Sequence, residues 1–227
     1  MQQYLAIADG ILRHSGDDQA AQTRHRWRTL LTVLSVFAAL FGLAVGSFGA
    51  RILEPGTWLQ ALYSAIKLPI LLTLSTALSL PSFFVINSLL GLRNDFDRVV
   101  QAIVLSQVVM AIVLASFAPM TILWYASSSD YSQAILANLV LMAIASFVAR
   151  AVLRAQYRRL IVRNPRHRWM SRLWLATYAM VAVQMAWNLR PFVGSPGTEP
   201  QFLRPDMWDN AYVIVWKLIA RSLGYTM

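Results

Sequence analysis

Three stretches of this sequence, 29–50, 68–92 and 99–129, carry no charged side chain over lengths that soluble folds rarely sustain. About 20 apolar residues at 1.5 Å each cross a ~30 Å hydrocarbon layer as a helix, and inside that layer an unclosed segment must satisfy its backbone by being helical. Two further apolar runs follow, 131–149 and 173–189. The last is bracketed by Arg172 and Arg190 and has the minimum crossing length, so it requires both arginines to snorkel outward. The expectation is an all-α integral membrane protein with five transmembrane helices, at about 29–50, 68–92, 99–125, 131–149 and 173–189, and amphipathic interfacial helices at both ends. Composition agrees. Charged residues make up 13% of the chain and hydrophobic ones 57%, with mean hydropathy +0.51, whereas about 25% of residues are charged in soluble domains.

Three regions follow: a cytoplasmic amphipathic N-terminal segment, 1–28; the five-span domain, 29–190; and an external turn region with an amphipathic C-terminal helix, 191–227. The first apolar run is too long for a signal-peptide core and reads as a retained anchor. Lys67 sets the start of the second span. A lysine at the bilayer centre costs roughly 2.5 to 3.5 kcal/mol on the insertion scale, so beginning the span at Leu68 moves Lys67 to the headgroups. Trp58, Leu59, Leu62, Tyr63 and Ile66 then share one helical face and Gln60, Ser64 and Lys67 the other, which predicts a separate interfacial helix over 54–67. Pro69, Pro81 and Pro119 permit kinks, and Trp124 and Tyr125 stand where an aromatic belt belongs.

A net charge of +10 raises nucleic acid as a partner, most of all at 149–172, which holds eight arginines and no acid. Location argues otherwise. Fourteen of the twenty basic residues fall on one side of the five spans, which is the positive-inside pattern and gives a cytoplasmic N-terminus and an external C-terminus. Arg150, Arg154, Arg158 and Arg159 continue the fourth span toward anionic headgroups, at about 1 kcal/mol of attraction each. Asn164 and Pro165 end that helix. Only Tyr157 and Trp169 are available for base stacking there, so the expected partners are membrane lipids, anionic on the cytoplasmic side, and other membrane proteins, with no nucleic acid.

The sequence offers little chemistry. The absence of cysteine removes disulfides, thiolate nucleophiles and cysteine-ligated metals. No acid lies within a span, which argues against ion coupling through a buried carboxylate. His14, His25 and His167 all fall on the expected cytoplasmic side, away from any haem within the bilayer. No catalytic residue, metal ligand or cofactor is therefore expected. Asp95 and Asp97 in "RNDFDR" form a D-x-D pattern that suits a divalent cation, but between arginines it reads first as a solvated, self-paired turn. Asn87, Gln107, Asn138 and Gln184 are candidates for a polar path through the spans, set against plain interhelical hydrogen bonding. Ala38, Gly42, Gly46 and Ala50 recur every four residues and form a smooth helix-packing face for another helix of this chain or of a partner.

The densest local pattern is "QMAWNLRPFVGSP", where Arg190 suits a helix C-terminus and Pro191 forbids its continuation. In this run, in the following "QFLRP" and in the second span, residues 68–91, the chain resembles a group of predicted bacterial polytopic membrane proteins that has no assigned activity. It is loosely similar in layout to Yip-type membrane proteins, whose acidic cytoplasmic signature is missing, so no function carries over. The resemblance implies a multi-pass protein of the bacterial inner membrane. Function is expected to be that of a non-enzymatic subunit or accessory protein of a larger membrane complex. The alternatives are a small channel or facilitator formed by a homo-oligomer, and a membrane-bound enzyme using the D-x-D loop.

Overall fold

The computed structural model describes residues 23–48, 58–128, 130–194 and 200–203, with side chains from Trp27 onward. The expected terminal helices at 1–13 and 207–225, and Ala50, lie outside them. Every regular element among the described residues is helical: α1 (Thr23–Gly46), α2 (Trp58–Leu89), a 3-10 turn (Arg93–Asp95), α3 (Phe96–Ser116), α4 (Ala118–Ser127), α5 (Tyr131–Arg163) and α6 (His167–Asn188). Four segments, Trp27–Gly46, Trp58–Leu89, Arg93–Ser127 and Tyr131–Arg163, are long and apolar enough to cross a membrane, the signature of a multi-pass membrane protein. The segment around the expected fifth span forms α6, but with polar residues such as Arg168, Arg172, Gln184 and Asn188 along it, it is not among the segments long and apolar enough to cross.

Helix boundaries differ from the sequence expectation for identifiable reasons. The proposed break between an interfacial helix and the second span does not occur: α2 runs unbroken for 32 residues, about 48 Å, through Lys67, Pro69 and Pro81. The third apolar run bends at Phe117, because Pro119 has no N–H to give the preceding turn and opens α4 instead. Asp130 caps α5 by accepting the backbone N–H groups of Ser132 at 2.8 Å and Gln133 at 3.2 Å. From there α5 continues 33 residues to Arg163, about 50 Å, so its basic end outruns the hydrocarbon layer. The loop after α2 closes on Gly91, whose φ of 72° suits glycine. Gly91 N–H bonds Ser88 O and Leu92 N–H bonds Asn87 O, which satisfies the last carbonyls of the helix.

The helices pack in the order α6, α2, α1, α3, α5. α1 contributes Leu30, Val33, Leu34, Phe37, Phe41 and Val45 to one buried cluster with Val108, Ala111 and Leu114 of α3. A second cluster at the arginine-rich end joins Phe83, Leu92, Val99, Ile103, Tyr157, Met170 and Trp174. α2 has an unusual polarity. Its buried face carries Gln60, Ser64, Lys67, Ser75, Thr76, Ser79 and Asn87, while Leu74, Leu78 and Val85 face outward. An inward polar seam beside outward aliphatic side chains is what a helix in lipid requires, since the seam must find its partners within the protein.

Candidate functional site

The seam of α2 meets the run after α6. Gln60, Ser64 and Lys67 follow one another by about one helical turn, so their side chains leave the same face. The chain turns at a cis Arg190–Pro191 peptide and lays the carbonyls of Pro191 and Phe192 over that face. Gln60 Nε2 donates to Pro191 O at 2.9 Å, and the Ser64 hydroxyl donates to Phe192 O. Lys67 Nζ donates to Pro191 O at 2.8 Å and to Gln201 O at 3.1 Å. Residues 190–194 and 200–203 thus act as a strap across the first turns of α2.

Lys67 is 0% exposed and has no acidic partner among the described residues. Burying an unpaired ammonium costs several kcal/mol even after relaxation. Two charge-assisted bonds to carbonyls offset part of that cost, and the ring of Phe202 at 5.3 Å adds a cation–π contact. Tyr63 lies at 6.0 Å, the limit of that interaction, and packs edge-on against Phe202 with centroids 5.4 Å apart. The expectation that Lys67 reaches the headgroups is therefore corrected: its partners are the strap carbonyls. At the base of the strap, the Arg190 guanidinium stacks 3.7 Å from the centroid of Trp187.

The helix-packing face of α1 supports this site from behind. A Cβ on Gly42 would collide with the Ser64 carbonyl and sit 2.8 Å from Ala65 Cα; one on Gly46 would sit 2.5 Å from Ala61 Cα. Ala38 on the same ridge is fully buried. Within the described residues this ridge is occupied by α2 of the same chain, so the backbone turn that presents Gln60 and Ser64 is held against α1.

The four residues considered as a polar path engage separate partners. Asn87 Nδ2 donates to Leu92 O at 3.0 Å, in the turn that ends α2. Gln107 Oε1 accepts the Tyr178 hydroxyl at 3.2 Å. Asn138 Nδ2 donates to the Tyr125 hydroxyl, which in turn donates to Val45 O at 3.3 Å. Tyr125 is therefore an interior residue and not part of a lipid-facing belt, while its neighbour Trp124 is exposed. Gln184 bonds Asn188 within α6 at 3.1 Å. Arg150, Arg154, Arg158 and Arg159 are all exposed on the last turns of α5.

The D-x-D acids also diverge. Asp95 accepts Arg98 at 3.2 Å and meets Nε2 of the fully buried His167 at 3.3 Å, tying the α2–α3 turn to the start of α6. Arg166 adds a bond to Leu90 O at 3.2 Å. Asp97 instead lines an open cavity with Trp27, Phe84 and Phe96. Sequence reasoning missed the His167–Asp95 contact and the hydroxyls of Tyr125 and Tyr178 as partners. The stripe of Gln60, Ser64 and Lys67 was visible, but its acceptors were more than 120 residues away. Comparison of the chain with protein-family models, with curated proteins and with solved structures returned no match.

Proposed function

We propose that this chain is a non-enzymatic subunit or accessory protein of a larger assembly in the bacterial inner membrane, crossing five times with its N-terminus cytoplasmic and its C-terminus external. The observation that carries the reading is the use of its interior polar groups. Lys67, Gln60, Ser64, Asn87, Gln107 and Asn138 each bind a group of the same chain, which suits a rigid scaffold better than a conduit. The outer face of α5, with Leu136, Leu139, Val140, Ile144 and Phe147 exposed above the arginines, is left for lipid and neighbouring proteins.

The fifth crossing is supported by where α6 begins and ends. Its first residue, His167, meets Asp95 just beyond the end of α2, and the strap that follows it reaches Lys67 and Gln60 near the start of α2. A 22-residue helix covers about 33 Å, enough to run beside a spanning helix from one side to the other.

The test is gentle extraction from the native membrane, native electrophoresis and mass spectrometry of the co-migrating polypeptides. Unrelated polypeptides at fixed stoichiometry support the reading. A lone monomer or homo-oligomer overturns it and favours the channel reading, which requires flux in liposomes containing only this protein and loss of that flux in Gln107→Leu.

A further inference from the structure

The cavity beside Asp97 has a composition that points to a ligand. Its volume is about 350 Å³, at the small end of ligand sites, and it is lined by Trp27 of α1, Leu80, Pro81 and Phe84 of α2, and Phe96, Asp97 and Val100 of α3. Three aromatic residues and Asp97 line it from three helices, so a mostly apolar wall has an acidic residue at its edge. Phe84 and Phe96 meet edge to face with centroids 4.9 Å apart. Asp97 is exposed and has no ion-pair partner among the described residues, although it stands between Arg93 and Arg98 in sequence. Asp95, two residues earlier, takes both Arg98 and His167.

Aromatic faces present negative quadrupoles to a cation, and a box of such rings beside a carboxylate is an arrangement suited to an alkylammonium group. The place of the cavity along the helices argues for the source. Trp27 lies near the start of α1 and Asp97 in the first turn of α3, at the arginine-rich end, which on the proposed membrane arrangement stands at the level where headgroups meet acyl chains. Beside it, Leu78, Phe84 and Val85 of α2 are exposed, an apolar surface along which acyl chains can lie. We propose that this cavity binds a zwitterionic phospholipid by its ammonium headgroup, with the ammonium between Asp97 and the rings of Trp27, Phe84 and Phe96 and the acyl chains along α2.

The experiment is a native mass-spectrometric titration of the full chain in detergent with phosphatidylethanolamine, with phosphatidylglycerol as the ammonium-free probe and with free ethanolamine as competitor. Wild type is expected to retain phosphatidylethanolamine in preference to phosphatidylglycerol. Asp97→Asn is expected to bind phosphatidylethanolamine about tenfold more weakly, the size of losing one partly desolvated charge contact, with phosphatidylglycerol unchanged. Val100→Trp, which fills the cavity and keeps the carboxylate, should weaken the same lipid. Equal retention of the two lipids, or wild-type binding by both variants in folded protein, overturns the proposal. Displacement by ethanolamine at concentrations comparable to the lipid overturns the lipid as the source and leaves a soluble amine.

Discussion

Lys67 Nζ lies 2.8 Å from the carbonyl oxygen of Pro191, a residue 124 positions further along the chain, and the same oxygen accepts Gln60 Nε2 at 2.9 Å. One carbonyl thus receives two donors two turns apart on α2, and of the strap carbonyls only that of Gln201 depends on Lys67 alone. In Lys67→Met the desolvation cost of the ammonium disappears together with its bonds, so global stability should shift by no more than about 1 kcal/mol. The strap loses its charge-assisted anchor, worth about 1.5 to 3 kcal/mol locally. Amide exchange over 192–194 and 201–203 should therefore accelerate at least about tenfold while exchange in α1 and α3 stays unchanged. Unaltered exchange in the strap would show that Lys67 does not hold it.

Gly42 and Gly46 make the opposite case, in which the global fold is at stake. Their missing side chains let α1 reach the backbone of α2 at Ser64, Ala65 and Ala61. Gly42→Ala and Gly46→Ala should each cost about 1 to 3 kcal/mol, because the obstacle is backbone and cannot rotate away. Thermal unfolding in detergent reads this directly. The strap should loosen as well, since Gln60 and Ser64 lie on the turn of α2 that would be displaced.

The helices were legible in the sequence because apolar length is a local property. The ridge of Ala38, Gly42 and Gly46 was legible as a surface, yet nothing local could say that α2 covers it. Lys67 shows the limit most clearly. Its charge argued for the headgroups, since sequence spacing holds no information about two carbonyls more than 120 residues away. Asp95 and Asp97 share a short motif, and side chains two apart on a turn entering a helix diverge by geometry. α6 forms over the expected region, but its length became informative only once both of its ends were seen against α2.

Because Asp95 binds Arg98 and His167 while Asp97 lines a cavity, the two acids should respond differently to removal of charge. Asp95→Asn is expected to cost about 1 kcal/mol, a modest figure because the Arg98 side chain of the pair is 59% exposed. Asp97→Asn should stay within about 0.5 kcal/mol of wild type. Parallel unfolding curves for the two variants would decide this. A shared divalent site predicts equal loss of metal binding from both, measured by calorimetry.

Tyr125 and Asn138 join α4 to α5, and the Tyr125 hydroxyl also reaches Val45 of α1. A double-mutant cycle with Tyr125→Phe and Asn138→Leu should give a coupling of about 0.6 kcal/mol, at most ~1.7, as for interhelical bonds in lipid. Zero coupling would mean that the two side chains do not bond in the membrane.

The absence of native cysteine makes the proposed fifth crossing directly measurable. Arg158 is exposed at the basic end of α5, and Gln201 is exposed on the strap that reaches Lys67. Between them lies α6, whose first residue meets Asp95 just beyond the end of α2 and whose following strap reaches Lys67 near the start of α2. If α6 crosses, Arg158→Cys and Gln201→Cys report from opposite sides of the membrane. A membrane-impermeant maleimide added to spheroplasts is then expected to label Gln201→Cys at once and Arg158→Cys only after permeabilisation. The order follows from the arginines, since a cytoplasmic α5 end gains about 1 kcal/mol per basic residue at an anionic leaflet. Equal labelling before permeabilisation would place both sites on one side and reduce the chain to four crossings. Reversed labelling would keep five crossings and invert the orientation, and the arginine run would then need a cause other than the inner leaflet.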